Sequence, residues 1–141
     1  MKIGQLIEKG LLRKSTPDLE KARQSLKVAK AKLEEARRSL DAKIYEGTIV
    51  FAYMSMFHAA RAILFSDGYT EKSHFAVIAY LEEKHTSTLR SDMISRFNTL
   101  RSQRHECLYG LEAEFSEEDA IQSIADAKEF LRKVEQMIGP G

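Results

Sequence analysis

Four leucines, Leu19, Leu26, Leu33 and Leu40, recur every seven residues, and Ala22, Ala29 and Ala36 stand three positions after the first three. Two apolar positions per seven residues define the seam of a helix packed along another helix; a strand on a core face would instead alternate with period two. Alanine at the second seam position lets the neighbouring backbone come close, and the Lys and Glu residues elsewhere on this segment read as its solvated face. A chain built around such a segment is helical, and its remaining segments must supply the partners.

The first partner is residues 45–66, YEGTIVFAYMSMFHAARAILFS, apolar nearly all round as expected of a helix buried by several neighbours at the bundle centre. Gly68 supplies a left-handed stop after it, and Ser73 caps a short helix, HFAVIAYLEEKH. A further helix is predicted from Ser87 to Gly110. The last begins after Ser116, whose cap is followed by Glu117, Glu118 and Asp119, and carries the stripe Ala120, Ile124, Ala127, Leu131, Val134 and Ile138. Upstream, Ile3, Leu6, Ile7 and Leu11 predict an amphipathic helix over residues 3–13, and Pro17 suits the first turn of the Leu19 helix. These segments predict an all-α, antiparallel four-helix up-and-down bundle with additional short helices and negligible strand content. Residues 1–141 are expected to form one domain, with a core over 18–137 and an accessory helix within 1–14.

Composition narrows the function. With 22 basic against 21 acidic residues, bulk charge draws no nucleic acid, so binding would need a local cationic patch. The lone Cys107 excludes an internal disulfide, reads as a small buried apolar residue, and fits a reducing, cytoplasmic setting. No signal-peptide core or uninterrupted apolar run of membrane-spanning length is present, so neither export nor insertion is expected. Phosphate-loop, zinc-site and hydrolase motifs are missing, and neither metal nor cofactor is expected.

One local patch answers the charge requirement. Along the predicted 87–110 helix, Met93, Phe97, Leu100, Cys107 and Leu111 form an apolar stripe, and Arg104 fills its gap. An arginine there snorkels, pairs with an acid such as Glu106, or meets a phosphate or second subunit at an interface. Arg101, His105 and Tyr109 follow at four-residue steps on an adjacent ridge, so the four side chains are expected to converge. Such a group can hold an RNA phosphate, with His105 as proton carrier and Tyr109 as a hydrogen-bonding or stacking group. Among the other histidines, His58 is expected as a hydrogen-bonded core residue, His74 as a helix-entry residue and His85 as a helix-end residue.

Two segments, FAYMSMFHAARAILFSDGYTEKSHFAVIAYLEE and LRSQRHECLYG…FSEEDAIQSIADAKEFLRKVE, together resemble the HEPN domain family over residues 18–137. Lys72, Ser73 and His74 match the family's Lys-Ser-His ending; Arg104, Tyr109 and Gly110 match the helix bearing its functional arginine. The resemblance implies a homodimer whose motif helices face a shared cleft for nucleotide or RNA, paired with a nucleotidyltransferase-domain partner in a toxin-antitoxin-like module. Many members are metal-independent ribonucleases that use an Arg and a following His. Here the positions for that His hold Tyr109, Gly110 and Leu111, and Leu108 stands where an acid commonly precedes the Tyr. The leading expectation is therefore binding through Arg101, Arg104, His105 and Tyr109. Ribonuclease activity with Arg104, His105 or Tyr109 in degenerate roles is the alternative, and a purely structural helical module is the third.

Overall fold

The computed structural model describes residues 1–111 and 114–139. It contains α1 (Ile3–Glu8), β1 (Leu12–Lys14), α2 (Leu19–Asp41), α3 (Tyr45–Asp67), β2 (Tyr69–Glu71), α4 (His74–Lys84), α5 (Ser91–Tyr109) and α6 (Glu117–Ile138). The long helices α2, α3, α5 and α6 form an up-and-down bundle with α3 at its centre, packed against the other three.

The heptad seam does what its spacing predicts in its middle. Ala22, Leu26, Ala29, Leu33 and Ala36 are buried, whereas the end residue Leu19 is exposed and Leu40 only half-buried. The small residues bring α2 and α3 close enough for hydroxyls to reach across. Ser25 donates to the His58 carbonyl at 2.7 Å, and Ser55 donates to the Ala29 carbonyl at 2.8 Å. The partner numbers fall on one helix as they rise on the other, so the pair is antiparallel. Arg90 with Glu129 and Arg96 with Asp126 likewise set α5 antiparallel to α6. The rings of Tyr53, Phe97 and Phe130 pack in series from α3 through α5 to α6, the first pair stacked and the second tilted, with centroids 5.6 and 5.3 Å apart. By length and composition α3 would span a membrane, but 67% of its most apolar window is buried inside the bundle, as in the core helix of a globular domain.

The caps fall where expected. Gly68 ends α3 at φ 94°, Ser73 accepts from the Ala76 N–H at 3.1 Å, and Ser116 forms a reciprocal capping box with Asp119. Where α3 and α4 end, Asp67 accepts from the Tyr80 hydroxyl and pairs with His85 Nε2, both at 2.6 Å. Burial pushes the Asp67 carboxyl up, but these two hydrogen bonds outweigh it and hold the group below the ordinary carboxylate value.

Several boundaries differ from the sequence reading. The helix expected over 3–13 stops at Glu8, because Gly10 turns left-handed (φ 73°) and closes a Schellman motif. The Leu11 N–H bonds the Leu6 carbonyl, and the Gly10 N–H bonds that of Ile7. The freed residues 12–14 become β1, which pairs antiparallel with β2, so a small two-stranded sheet exists where strand content was expected to be negligible. Pro17 precedes the α2 cap instead of entering the first turn; Asp18 is the cap, accepting from the Lys21 N–H at 3.0 Å. α5 starts at Ser91, not Ser87, because Leu89 is fully buried in a turn whose N–H groups bond back to the His85 carbonyl. The apolar stripe of α5 ends at Leu100: Cys107 is only half-buried and Leu111 is fully exposed. The closing Pro140 and Gly141 lie outside the described residues.

Candidate functional site

The side of α5 that continues past Leu100 meets α3 and the first residue of α4. Arg104 is half-buried there, its guanidinium carbon 5.6 Å from the Tyr53 ring centroid, so it does occupy the packed side implied by the gap in the stripe. Arg101 is half-buried too and donates through Nε to Asn98 at 3.1 Å. Neither arginine forms an ion pair among the described residues, although Glu106 sits at the rim. Arg101, Ser102, Arg104, His105, Glu106 and His74 line an open groove of about 360 Å³.

The expected convergence of four side chains is therefore corrected in one member. Tyr109 does not line this groove; it is exposed, and its ring lies 5.0 Å from that of His105. Eight residue steps of helix separate Arg101 from Tyr109, about 12 Å of rise, which carries the phenol beyond the groove. In its place stands His74, read from the sequence as a helix-entry residue. His74 does open α4, but its Nδ1 lies 2.6 Å from the Tyr53 hydroxyl, and its ring stacks on Phe57 with centroids 4.2 Å apart. His58 departs from its expectation: it is half-buried rather than a hydrogen-bonded core residue, and its carbonyl, not its ring, takes the bond from Ser25.

Electrostatics and hydrogen bonding together assign the proton positions at Tyr53 and His74. Burial pushes the Tyr53 phenol well above its ordinary value, more than Arg104 and Arg101 lower it, so the hydroxyl keeps its proton. Burial also lowers the His74 imidazole, and Arg104, Arg101 and Arg61 oppose its charge further, so the ring is neutral at pH 7. A buried phenol proton needs an acceptor, and Nδ1 is the one in reach. His74 then carries its proton on Nε2 and presents a donor, not a base. Cys107 is not a nucleophile in waiting: burial, with Glu46 and Glu106 nearby, pushes its thiol up to about 11. Among the described residues no three His, Cys, Asp or Glu side chains gather as metal ligands.

The two depressed histidines set a pH dependence. Burial and Arg61 lower His58 as they do His74. In each case the unfolded chain takes up the proton first, near pH 6.5, so stability is full above that pH and is lost as pH falls through the folded values. The Asp67 carboxyl titrates in a lower window. The urea midpoint is thus expected to drop between about pH 7.5 and about pH 5.5, and an unchanged or higher midpoint at the acid end contradicts the assignment.

Comparison with known proteins agrees with the all-α fold. The HEPN domain model matches residues 22–137. A UPF0332 protein of Archaeoglobus fulgidus is 30% identical over 116 residues, covering 80% of this chain and 93% of the relative.

Proposed function

The chain belongs to the HEPN domain family, and on that premise we propose that it binds a nucleotide or RNA phosphate in the groove of α5, with Arg101, Arg104, His105 and His74 as the donors. The observation that carries this reading is the half-buried pair Arg101 and Arg104, which has no carboxylate partner among the described residues and opens into a groove. Holding two guanidinium groups part-desolvated side by side costs free energy that an anion recovers through charge-assisted, bidentate hydrogen bonds. The Nε2–H of His74 adds a neutral donor, and Tyr53 fixes its direction.

An endonuclease acting here needs a proton acceptor as well as a donor; with Nδ1 engaged by Tyr53, His74 can supply only the donor, so the acceptor would have to be His105. Two copies are proposed to assemble through apolar side chains that stay substantially exposed, Phe75 in α4, Leu108 in α5 and Leu111 just after it. A nucleotidyltransferase-domain protein is the proposed partner of that dimer, in a toxin-antitoxin-like module.

Calorimetry with nucleoside monophosphates and short RNAs tests the binding role. Arg104→Ala is expected to weaken binding about tenfold to a hundredfold, the effect of losing one charge-assisted contact, with far-ultraviolet circular dichroism unchanged. Equal affinity for both proteins removes the assignment. Arginine-dependent RNA cleavage by the pure protein in EDTA would replace binding with catalysis, and sedimentation reads the dimer directly.

A further inference from the structure

His74 borders two grooves, not one. Besides the groove at Arg104, a second opening of about 400 Å³ is lined by Phe57, Arg61, Glu71, Lys72, Ser73 and His74. Along the wall between them runs a series of planar groups. The Arg104 guanidinium lies over Tyr53, Tyr53 bonds His74, His74 stacks on Phe57, and the Arg61 guanidinium carbon lies 5.8 Å from the Phe57 centroid. Each end of this series is an arginine, and ring surface from His74 and Phe57 lies between.

Arg61 is not consumed by its neighbour. Its Nε is 2.6 Å from Glu71 Oε1, yet that N–H makes no aligned hydrogen bond, so the contact is one of charge with charge. The Arg61 side chain keeps 29% of its surface exposed, whereas Glu71 keeps 10%. Glu71 also lines the opening but is the more enclosed of the two, so the guanidinium is the group that reaches further into it. Lys72 is exposed, and its backbone N–H bonds the Leu11 carbonyl at 2.8 Å, which fixes where its side chain starts. Ser73 is already committed as the cap of α4 and is left out of the recognition.

We infer that the two grooves form one continuous site for single-stranded RNA, with one phosphate held at Arg101 and Arg104, a second at Arg61 and Lys72, and the intervening nucleoside against His74 and Phe57. This rests on the phosphate-binding reading above and adds to it the class of ligand: a strand with at least two phosphates, in preference to a mononucleotide. Aromatic surface between cationic ends suits a single strand, whose unpaired bases are free to pack on rings while its backbone follows the charges. A double helix keeps its bases stacked on each other and does not offer them. The opposition of all three arginines to charge on His74 agrees with a field that enters from both sides.

The test compares uridine monophosphate with the 5′-phosphorylated uridine dinucleotide at matched ionic strength. Wild type is expected to bind the dinucleotide at least about tenfold more tightly, with a salt dependence steeper by roughly 0.7 in the log-log slope for the added phosphate. Lys72→Ala, at an exposed position, is expected to remove most of that gain and the extra slope while leaving monophosphate affinity as it was. Arg104→Ala weakens both ligands. If Arg104→Ala weakens both but Lys72→Ala and Arg61→Lys leave the dinucleotide untouched, the second subsite is wrong and the first stands. If wild type binds neither ligand, both readings fall together.

Discussion

Phe97→Ala is expected to destabilise the fold by about 3–5 kcal/mol, the range for truncating a fully buried aromatic side chain. Phe97 has no exposed surface and is the middle ring of the stack that ties α5 to Tyr53 on α3 and Phe130 on α6. Its loss removes apolar area and also leaves a void that neighbours fill only in part, since both flanking rings are held by their own helices. Of the four long helices, α5 buries the fewest residues. Its buried residues are Met93, Ile94, Phe97 and Leu100, all in its first half. Because Arg101 and Arg104 lie just beyond them, the variant should lose anion binding at denaturant concentrations where most of its helicity persists. Urea unfolding followed by circular dichroism, beside binding at rising urea, reads both effects. A loss below about 1 kcal/mol, the cost of deleting a methylene-sized group, shows that the stack does not anchor the helix.

That dependence also explains how far the sequence alone can be read. The pattern of α2 is legible because only one side of the helix is packed while the other is solvated, which imposes one period, and the buried residues Leu26, Ala29, Leu33 and Ala36 keep it. α3 was legible as central because it lacks a polar face. Caps at Ser73 and Ser116 depend on contacts within three residues, so local chemistry decides them. The misses come from competition between equal local signals. Leu11 continues the helical period of Ile3 and Ile7, but Gly10 admits the left-handed turn that diverts the chain into β1. Leu89 looks like the start of α5 and instead fills the core from a turn.

The site divides the same way. Arg104 was visible as a cation in an apolar stripe, a conflict within one helix that calls for an explanation. His74 was not, since its partners Tyr53 and Phe57 lie 21 and 17 positions earlier on another helix, and nothing in the spacing of either segment says that they meet. The matching Lys-Ser-His ending marked the position without saying what the imidazole faces. Tyr109 was drawn into the group by helical spacing, which reports the side of a helix a residue occupies but not how far along it a groove extends.

Gly68→Ala is expected to cost about 2–4 kcal/mol, of which the left-handed backbone alone accounts for about 1–2. Gly68 ends α3 at φ 94°, and its N–H bonds the carbonyls of Leu64 and Phe65. A Cβ built there meets the Ser15 carbonyl oxygen at 2.9 Å and Pro17 Cδ and Cγ at 3.0 Å. These are a backbone atom and a ring, neither of which moves aside as a flexible side chain would. Ser15 is tied to this position, since its N–H bonds the Gly68 carbonyl at 2.8 Å, and Asp18, the α2 cap, bonds the Phe65 carbonyl at 2.9 Å. Relief of the overlap thus pulls the strand leading into α2 away from the end of α3, and weakens the β1–β2 pairing whose far end carries Glu71 against Arg61. The expected signature is a lowered urea midpoint together with faster amide exchange over residues 12–18 and 69–71. Full stability in the alanine variant would mean that the chain relaxes there without cost, and that the contact between Gly68 and the 15–17 segment does not hold the two halves of the fold together.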